Sequence, residues 1–342
     1  PAGRLRPARQ KGKDRGVADQ STHETDLIVI GAGPTGLFAT YYAGFRGMRV
    51  ALVDSLPELG GQITAMYPEK MILDVAGFPS VKGRDLVEGL VEQAATAHPA
   101  YFLERTATTL AQDDDGVTVC LDDGSEIRTK AVLVTAGIGK FSPRPLPVGG
   151  DWLGRGLEFF VPSFAPYAGK DVVIVGGGDS AFDWALHLEP VARSVTLVHR
   201  RDAFRAHERT VQAVRATSVD ILTKAQVSAI HGNGTVESVD IDVDGEITTR
   251  PAQAIVAALG FVADLGPLQH WGIEVEKRHI VVDSSMRTNL ERVFAAGDVT
   301  EYPGKVRLIA VGFGEAATAV NNAAVVVDPS AHVFPGHSSE GS

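Results

Sequence analysis

Short runs of aliphatic residues alternate along this chain with glycine turns and helical stretches. Leu27-Ile28-Val29-Ile30 is apolar at every position, the pattern of a strand covered on both faces. Gly31-Ala32-Gly33-Pro34-Thr35-Gly36 follows, then a helical stretch over residues 37–45. A second strand over 49–53 ends at Asp54, which completes one strand–helix–strand unit. Order is expected to begin near Asp26. The Gly- and Pro-rich stretch 56–80 reads as loops and short turns, and residues 84–95 as an amphipathic helix. Residues 116–129 alternate as a hairpin, with Val117, Val119 and Leu121 on one face, Cys120 on the other and Asp123-Gly124 at the turn. An apolar strand over 131–135 closes this part.

The pattern then restarts. A strand over 171–175 leads into Gly176-Gly177-Gly178-Asp179-Ser180-Ala181, a helix over 182–188 and a strand over 194–198. Hairpin segments follow, with turns at Asn233-Gly234 and Asp244-Gly245, and then an apolar strand over 254–259. The same succession of elements thus occurs twice, offset by 145 residues, an internal duplication of architecture.

Composition narrows the class. With 342 residues, 44% hydrophobic and 22% charged, the chain is globular and long enough for two domains. No run of 18 apolar residues occurs, so no membrane-spanning helix is expected. A single cysteine, Cys120, excludes a disulfide framework, a cysteine zinc site and a dithiol centre within one chain, and fits a reducing, cytoplasmic setting. The net charge of −10 is uneven. Residues 1–16 hold six basic side chains against Asp14, a local +5, which leaves about −15 on the rest. An acidic body argues against non-specific nucleic-acid binding. The basic head lacks an apolar core, so it is not a secretory signal. It reads as a solvated tail, with docking of an acidic partner as the alternative.

The two glycine turns carry the chemistry. In the first, Gly31 permits the tight turn, Gly33 lets the backbone approach a pyrophosphate and Gly36 lets helix and strand pack closely. The helix N-terminus adds a partial positive charge for the phosphates. Asp54, 23 residues after Gly31, is placed to accept hydrogen bonds from ribose hydroxyls. In the second, Gly176, Gly178 and Ala181 take the corresponding places. Here the acid is replaced by His199-Arg200-Arg201, with Arg205 close behind. Guanidinium groups pair bidentately with a 2′-phosphate, so this cradle is expected to prefer NADP over NAD. The acid-ended cradle suits FAD, whose adenosine ribose is unphosphorylated. Ala296-Gly297-Asp298, after another apolar strand, offers a carboxylate for the ribityl hydroxyls.

From about residue 25 onward the chain resembles the ferredoxin–NADP reductases built like thioredoxin reductase. The resemblance is carried by both glycine turns, Leu59-Gly60-Gly61-Gln62, Met66 to Lys70, Asp74 to Phe78, and His199-Arg200-Arg201 through Arg205-Ala206-His207. Ala296-Gly297-Asp298, Gly312 to Ala316 and the tail Pro335 to Ser339 complete it. It implies FAD contacts from Asp54, Gln62, Tyr67, Ala107, Phe141, Asp298 and Ser339. It also implies that Tyr67 stacks on one face of the isoalloxazine while His337, from the partner subunit of a homodimer, covers the other. These two would flank the reacting centre.

Thioredoxin reductase itself needs a Cys-x-x-Cys pair in its second nucleotide domain, and residues 139–262 contain no cysteine. Electrons are therefore expected to leave the flavin directly, which suits a one-electron carrier, ferredoxin or flavodoxin. The expected fold is α/β, with two Rossmann-like three-layer nucleotide-binding domains of thioredoxin-reductase-like type. The expected divisions are a flexible basic extension over 1–24, an FAD domain over 25–139 and 263–342, and an NADP domain over 140–262. Crossings near Gly137 and Phe261 would act as hinges. A basic patch around Lys140 and Arg144, or the basic head, would receive an acidic carrier. Two alternatives stay open: another NADPH-dependent flavin oxidase or disulfide reductase, and a non-catalytic flavin redox sensor.

Overall fold

The structure is a computed structural model that describes residues 22–334 and 336. Its frame is two five-stranded, wholly parallel sheets. The first has the order Val293–Ala295, Ala131–Val134, Leu27–Ile30, Val50–Asp54, Ala100–Leu103. The second has the order Leu157–Glu158, Ala254–Ala258, Asp171–Gly176, Ser194–Val198, Asp220–Leu222. In each, the third strand leads into a glycine turn and the fourth carries the end of the strand–helix–strand unit. The duplication seen in the residue pattern is therefore one of topology as well.

Each sheet has an antiparallel companion. Ala107–Asp113, Gly116–Leu121 and Glu126–Thr129 accompany the first. Ala225–Gly232, Val236–Val243 and Glu246–Pro251 accompany the second. Leu27 to Val29 and Ala131 to Val134 are fully buried, because the helices Pro34–Phe45, Gly83–Ala95 and Ile309–Val327 and the hairpin share one hydrophobic core with them. Each such side chain contributes about 1.5–3 kcal/mol for the larger aliphatics. That core draws on residues 27–134 and 265–324, whereas two further clusters draw on residues 146–257. The strands Lys140–Pro143 and Phe261–Asp264 pair antiparallel between them.

Several elements depart from the sequence reading. Order begins before Asp26: Thr22–Glu24, placed within the expected flexible extension, pairs in parallel with Glu126 to Arg128. The stretch 56–80 contains the short helix Gln62–Met66 and a strand, Met71–Ile72, paired with Val81–Lys82. The helices Glu208–Arg215 and Ile309–Val327 were also unforeseen. The latter buries Gly312, Glu315, Ala316, Ala319, Val320, Ala323 and Ala324, a stripe at helical spacing made of small residues. Its remaining positions are mostly apolar or small, with Thr318, Asn321 and Asn322 as polar exceptions, which weakens the contrast on which periodicity depends. By length and composition alone this helix is apolar enough to cross a membrane, yet its stripe is packed in the core and includes a carboxylate.

Candidate functional site: a dinucleotide cavity and a second cradle

The first glycine turn is held by close backbone approaches. Gly31 has φ +109°, and a Cβ there would lie 2.5 Å from the Thr135 carbonyl oxygen. A Cβ on Gly36 would run into the Gly31 carbonyl oxygen and lie 2.7 Å from Thr135 Oγ1. Thr135 Oγ1 donates a hydrogen bond to Gly31 O at 2.8 Å, which ties the turn to the neighbouring strand. Gly33 is different, because a Cβ there would meet nothing within 4 Å. It is the N-cap of Pro34–Phe45, and neither a side-chain cap nor an acidic residue occupies the first turn. The N–H groups of that turn are left for an anion.

Asp54 closes the turn at the strand end. Its Oδ2 accepts the Ala32 N–H at 2.5 Å and its Oδ1 the Leu56 N–H at 2.8 Å. Burial pushes the Asp54 carboxyl above the usual range, opposed by these N–H donors. The turn opens into a cavity of about 520 Å³, within the range of small-molecule sites. Gly33, Asp54, Gln62, Tyr67, Ala107 and Asp298 all line it, so the structure brings together the predicted residues from five separate segments. Burial, then the charges of Asp298 and Asp74, pushes the Tyr67 phenol up to about 12. Burial likewise raises Asp298, opposed by Lys305 and Arg307. Phe141 lies opposite Ala263 in the connecting strand pair, but its side chain is not among those described. His337 and Ser339 lie outside the described residues.

Sequence reasoning missed part of the lining. Arg105, Leu265 to Leu268, Leu308 and Ile309 also face the cavity. They arrive there through long-range packing, and only the helix start at Ile309 had a local signal in the sequence, the apolar run that follows it.

The second cradle repeats the design with different chemistry at its end. A Cβ on Gly176 would lie 2.9 Å from the Ala181 Cβ, so the third position must be small. Gly178, the N-cap of Asp179–Leu188, is open. The His199 ring fills the space a Gly177 side chain would need, and its Nε2 lies 3.2 Å from the Ala203 carbonyl. Burial lowers the His199 pKa, and Arg200, Arg201 and Arg205 lower it further. All three guanidinium groups are on exposed residues. The Arg205 N–H donates to Gly177 O at 2.8 Å, and the His207 N–H to Asp179 Oδ1 at 2.8 Å. Asp179 therefore pins the arginine loop to the cradle. Asp179→Ala is expected to raise the dissociation constant for NADPH by roughly threefold to tenfold, the worth of one hydrogen bond, with flavin content unchanged. Equilibrium titration with NADPH checks this.

The two halves also touch through side chains. Lys70 Nζ, three residues after Tyr67, lies 2.6 Å from Asp183 Oδ2 on the helix of the second cradle. Cys120 is half-buried in its hairpin, with Sγ 3.8 Å from Glu126 Oε1, and does not line the cavity.

A family model described as pyridine nucleotide-disulphide oxidoreductase matches residues 25–323, a span that includes both cradles. The chain belongs to the pyridine nucleotide-disulphide oxidoreductase family. Among curated relatives, a protein of Nocardioides sp. named ferredoxin–NADP reductase is 84% identical over 323 residues, covering 93% of this chain and 98% of its own. One of the same name from Halalkalibacterium halodurans is 49% identical over 92% of this chain and 96% of its own. Among solved structures, thioredoxin reductase of T. acidophilum matches with a TM-score of 0.76 and 25% identity, covering 90% of this chain and 100% of its own. Thioredoxin reductase of Lactococcus lactis matches at 0.75 and 26%, covering 89% and 99%. These matches bear out the thioredoxin-reductase-like α/β fold with two nucleotide-binding domains. Within this oxidoreductase family, the chain departs from the disulfide-reducing pattern in having no cysteine over residues 139–262.

Proposed function

We propose that the chain is a ferredoxin–NADP reductase that holds FAD in the first cradle and binds NADPH in the second. The observation that carries this is the pairing of an acid-ended cradle that opens into a 520 Å³ cavity with an arginine-ended cradle, with no cysteine at either. The names of the relatives support the same reading. FAD fits the first site: Gly33 leaves room for a pyrophosphate, the uncapped helix start supplies N–H donors, and two carboxylates stand at the cavity wall. FAD, when bound, would supply the chemistry that accepts one hydride from NADPH and hands on its two electrons one at a time.

The protein's own contribution is binding and orientation. The first turn of Pro34–Phe45 holds the pyrophosphate, Asp54 the adenosine ribose and Asp298 the ribityl chain. Gln62 and Ala107 complete the wall. Tyr67, kept protonated, would stand against the isoalloxazine and exclude water from it. Gly176, Gly178 and Ala181 admit the coenzyme phosphates, while Arg200, Arg201 and Arg205 clamp the 2′-phosphate. His199 holds the turn beneath them.

We assign the FAD domain to residues 25–139 and 263–342 and the NADP domain to 140–262. The separation of hydrophobic clusters and the paired connecting strands support that division. The same reading takes the molecule as a cytoplasmic homodimer without membrane association, with Phe141, His337 and Ser339 at the flavin. Sedimentation velocity is expected to give twice the chain mass. The activity is tested by stopped flow. NADPH is expected to bleach the bound flavin much faster than NADH, and ferredoxin or flavodoxin, not thioredoxin, to restore its colour. Peroxide or free thiols as the main product, or no turnover to any acceptor, would overturn the reading.

A further inference from the structure

Behind Asp298 lies a buried polar cluster that none of these roles uses. The Lys305 and Glu315 side chains are only 1% and 5% exposed, and Lys305 Nζ lies 2.5 Å from Glu315 Oε1. Tyr302 Oη donates to the same oxygen at 2.5 Å. The pair ends on a single peptide segment: Glu315 Oε2 accepts the Gly297 N–H at 2.7 Å, and Lys305 Nζ donates to Gly297 O at 2.9 Å. Thr300 Oγ1 donates to that carbonyl as well, at 2.8 Å. Gly297 has φ +85°, and a Cβ there would lie 2.9 Å from Thr35 Oγ1 at the start of the first cradle helix. A Cβ on Gly312, in the same helix as Glu315, would also meet that hydroxyl. The turn is thus gripped between two helices.

A buried ion pair gives little net stability compared with apolar side chains of similar volume, so stability alone does not explain this one. What it does is fix both polar groups of the residue immediately before Asp298. We propose that Lys305, Glu315 and Tyr302 are positioning residues that hold Asp298, and the start of the helix Ile309–Val327, in register with the flavin cavity. The inference rests on the FAD reading of that cavity. It also accounts for a cation beside Asp298, where Lys305 is the leading charge that opposes the rise caused by burial.

The test uses purified full-length holoenzyme. FAD release is followed by recovery of flavin fluorescence on dilution, and the midpoint potential of the bound flavin by dye-coupled reduction. Lys305→Met and Glu315→Gln are expected to speed release by roughly tenfold to a hundredfold, since each loses hydrogen bonds to a charged partner. Tyr302→Phe, which removes one hydroxyl and keeps the ring, is expected to speed it several-fold. The double variant is expected to be no faster than Lys305→Met alone, because the pair acts as a unit. Lys305→Met is expected to make the potential more negative, as a buried cation near the site is lost. Release within twofold of the parent in Lys305→Met and Tyr302→Phe overturns the proposal. A lowered melting temperature with an unmoved potential also overturns it, leaving only a structural brace. If Lys305→Met does not fold, Tyr302→Phe decides. A parent protein that purifies without flavin overturns the FAD reading and this proposal with it.

Discussion

Gly36→Ala is expected to yield a protein that carries no flavin and melts well below the parent. The added methyl group would collide with the Gly31 carbonyl oxygen and lie 2.7 Å from Thr135 Oγ1. Neither neighbour can yield cheaply. Gly31 is itself pressed against the Thr135 backbone, and its N–H donates to Val53 O at 2.8 Å. The helix would have to lift from the sheet, and overpacking of this kind costs about 1–3 kcal/mol or more. Gly33→Ala separates folding from binding. Its methyl group enters open space, so the fold is expected to survive, yet it stands where the pyrophosphate must approach. Flavin absorbance per chain and thermal melting check both variants. A yellow Gly36→Ala protein with the parent's melting temperature would show that the turn tolerates a side chain.

The second large effect is expected from Arg200→Ala combined with Arg201→Ala. Both residues are exposed at the end of the second cradle, 24 and 25 residues after Gly176. Charge-assisted bonds to a phosphate give discrimination of roughly tenfold or more each. The ratio of kcat/KM for NADPH over NADH is expected to fall by about a hundredfold, mainly through KM for NADPH. NADH kinetics and flavin content are expected to stay near the parent's, since neither arginine lines the first cavity. A retained preference for NADPH would move 2′-phosphate recognition elsewhere.

Both cradles were legible in the sequence because their chemistry is local. Gly31, Gly33, Gly36 and Asp54 lie within one short unit, as do Gly176, Gly178, Ala181 and His199 to Arg205. Local order is enough to show what a turn must do and which charge closes it. The cavity wall beyond them was legible only in part. Tyr67, Gln62 and Ala107 entered through resemblance, and nothing in their immediate surroundings points to a ligand. Thr135 escaped notice because its hydroxyl acts on a residue 104 positions away. Leu265 to Leu268 reach the cavity only after the chain has returned from the second cradle. Lys305 and Glu315 look like ordinary surface charges when read in line. The available signal was a lone charged residue, Glu315, on the helix Ile309–Val327, flanked by Gly312, Ala316 and Ala319, which is hard to place on a solvated face.

The connecting strands have a consequence for how the chain is laid out. Lys140 and Asp264 face each other on one rung of an antiparallel ladder, so the chain leaves and re-enters the first core at nearly one point. Strand neighbours of this kind sit about 5 Å apart. The intervening residues hang from the first core as a pendant, like a bead on a doubled thread, between its stretches 27–134 and 265–324. The gap beneath such a pendant is one that a tight reverse turn can span.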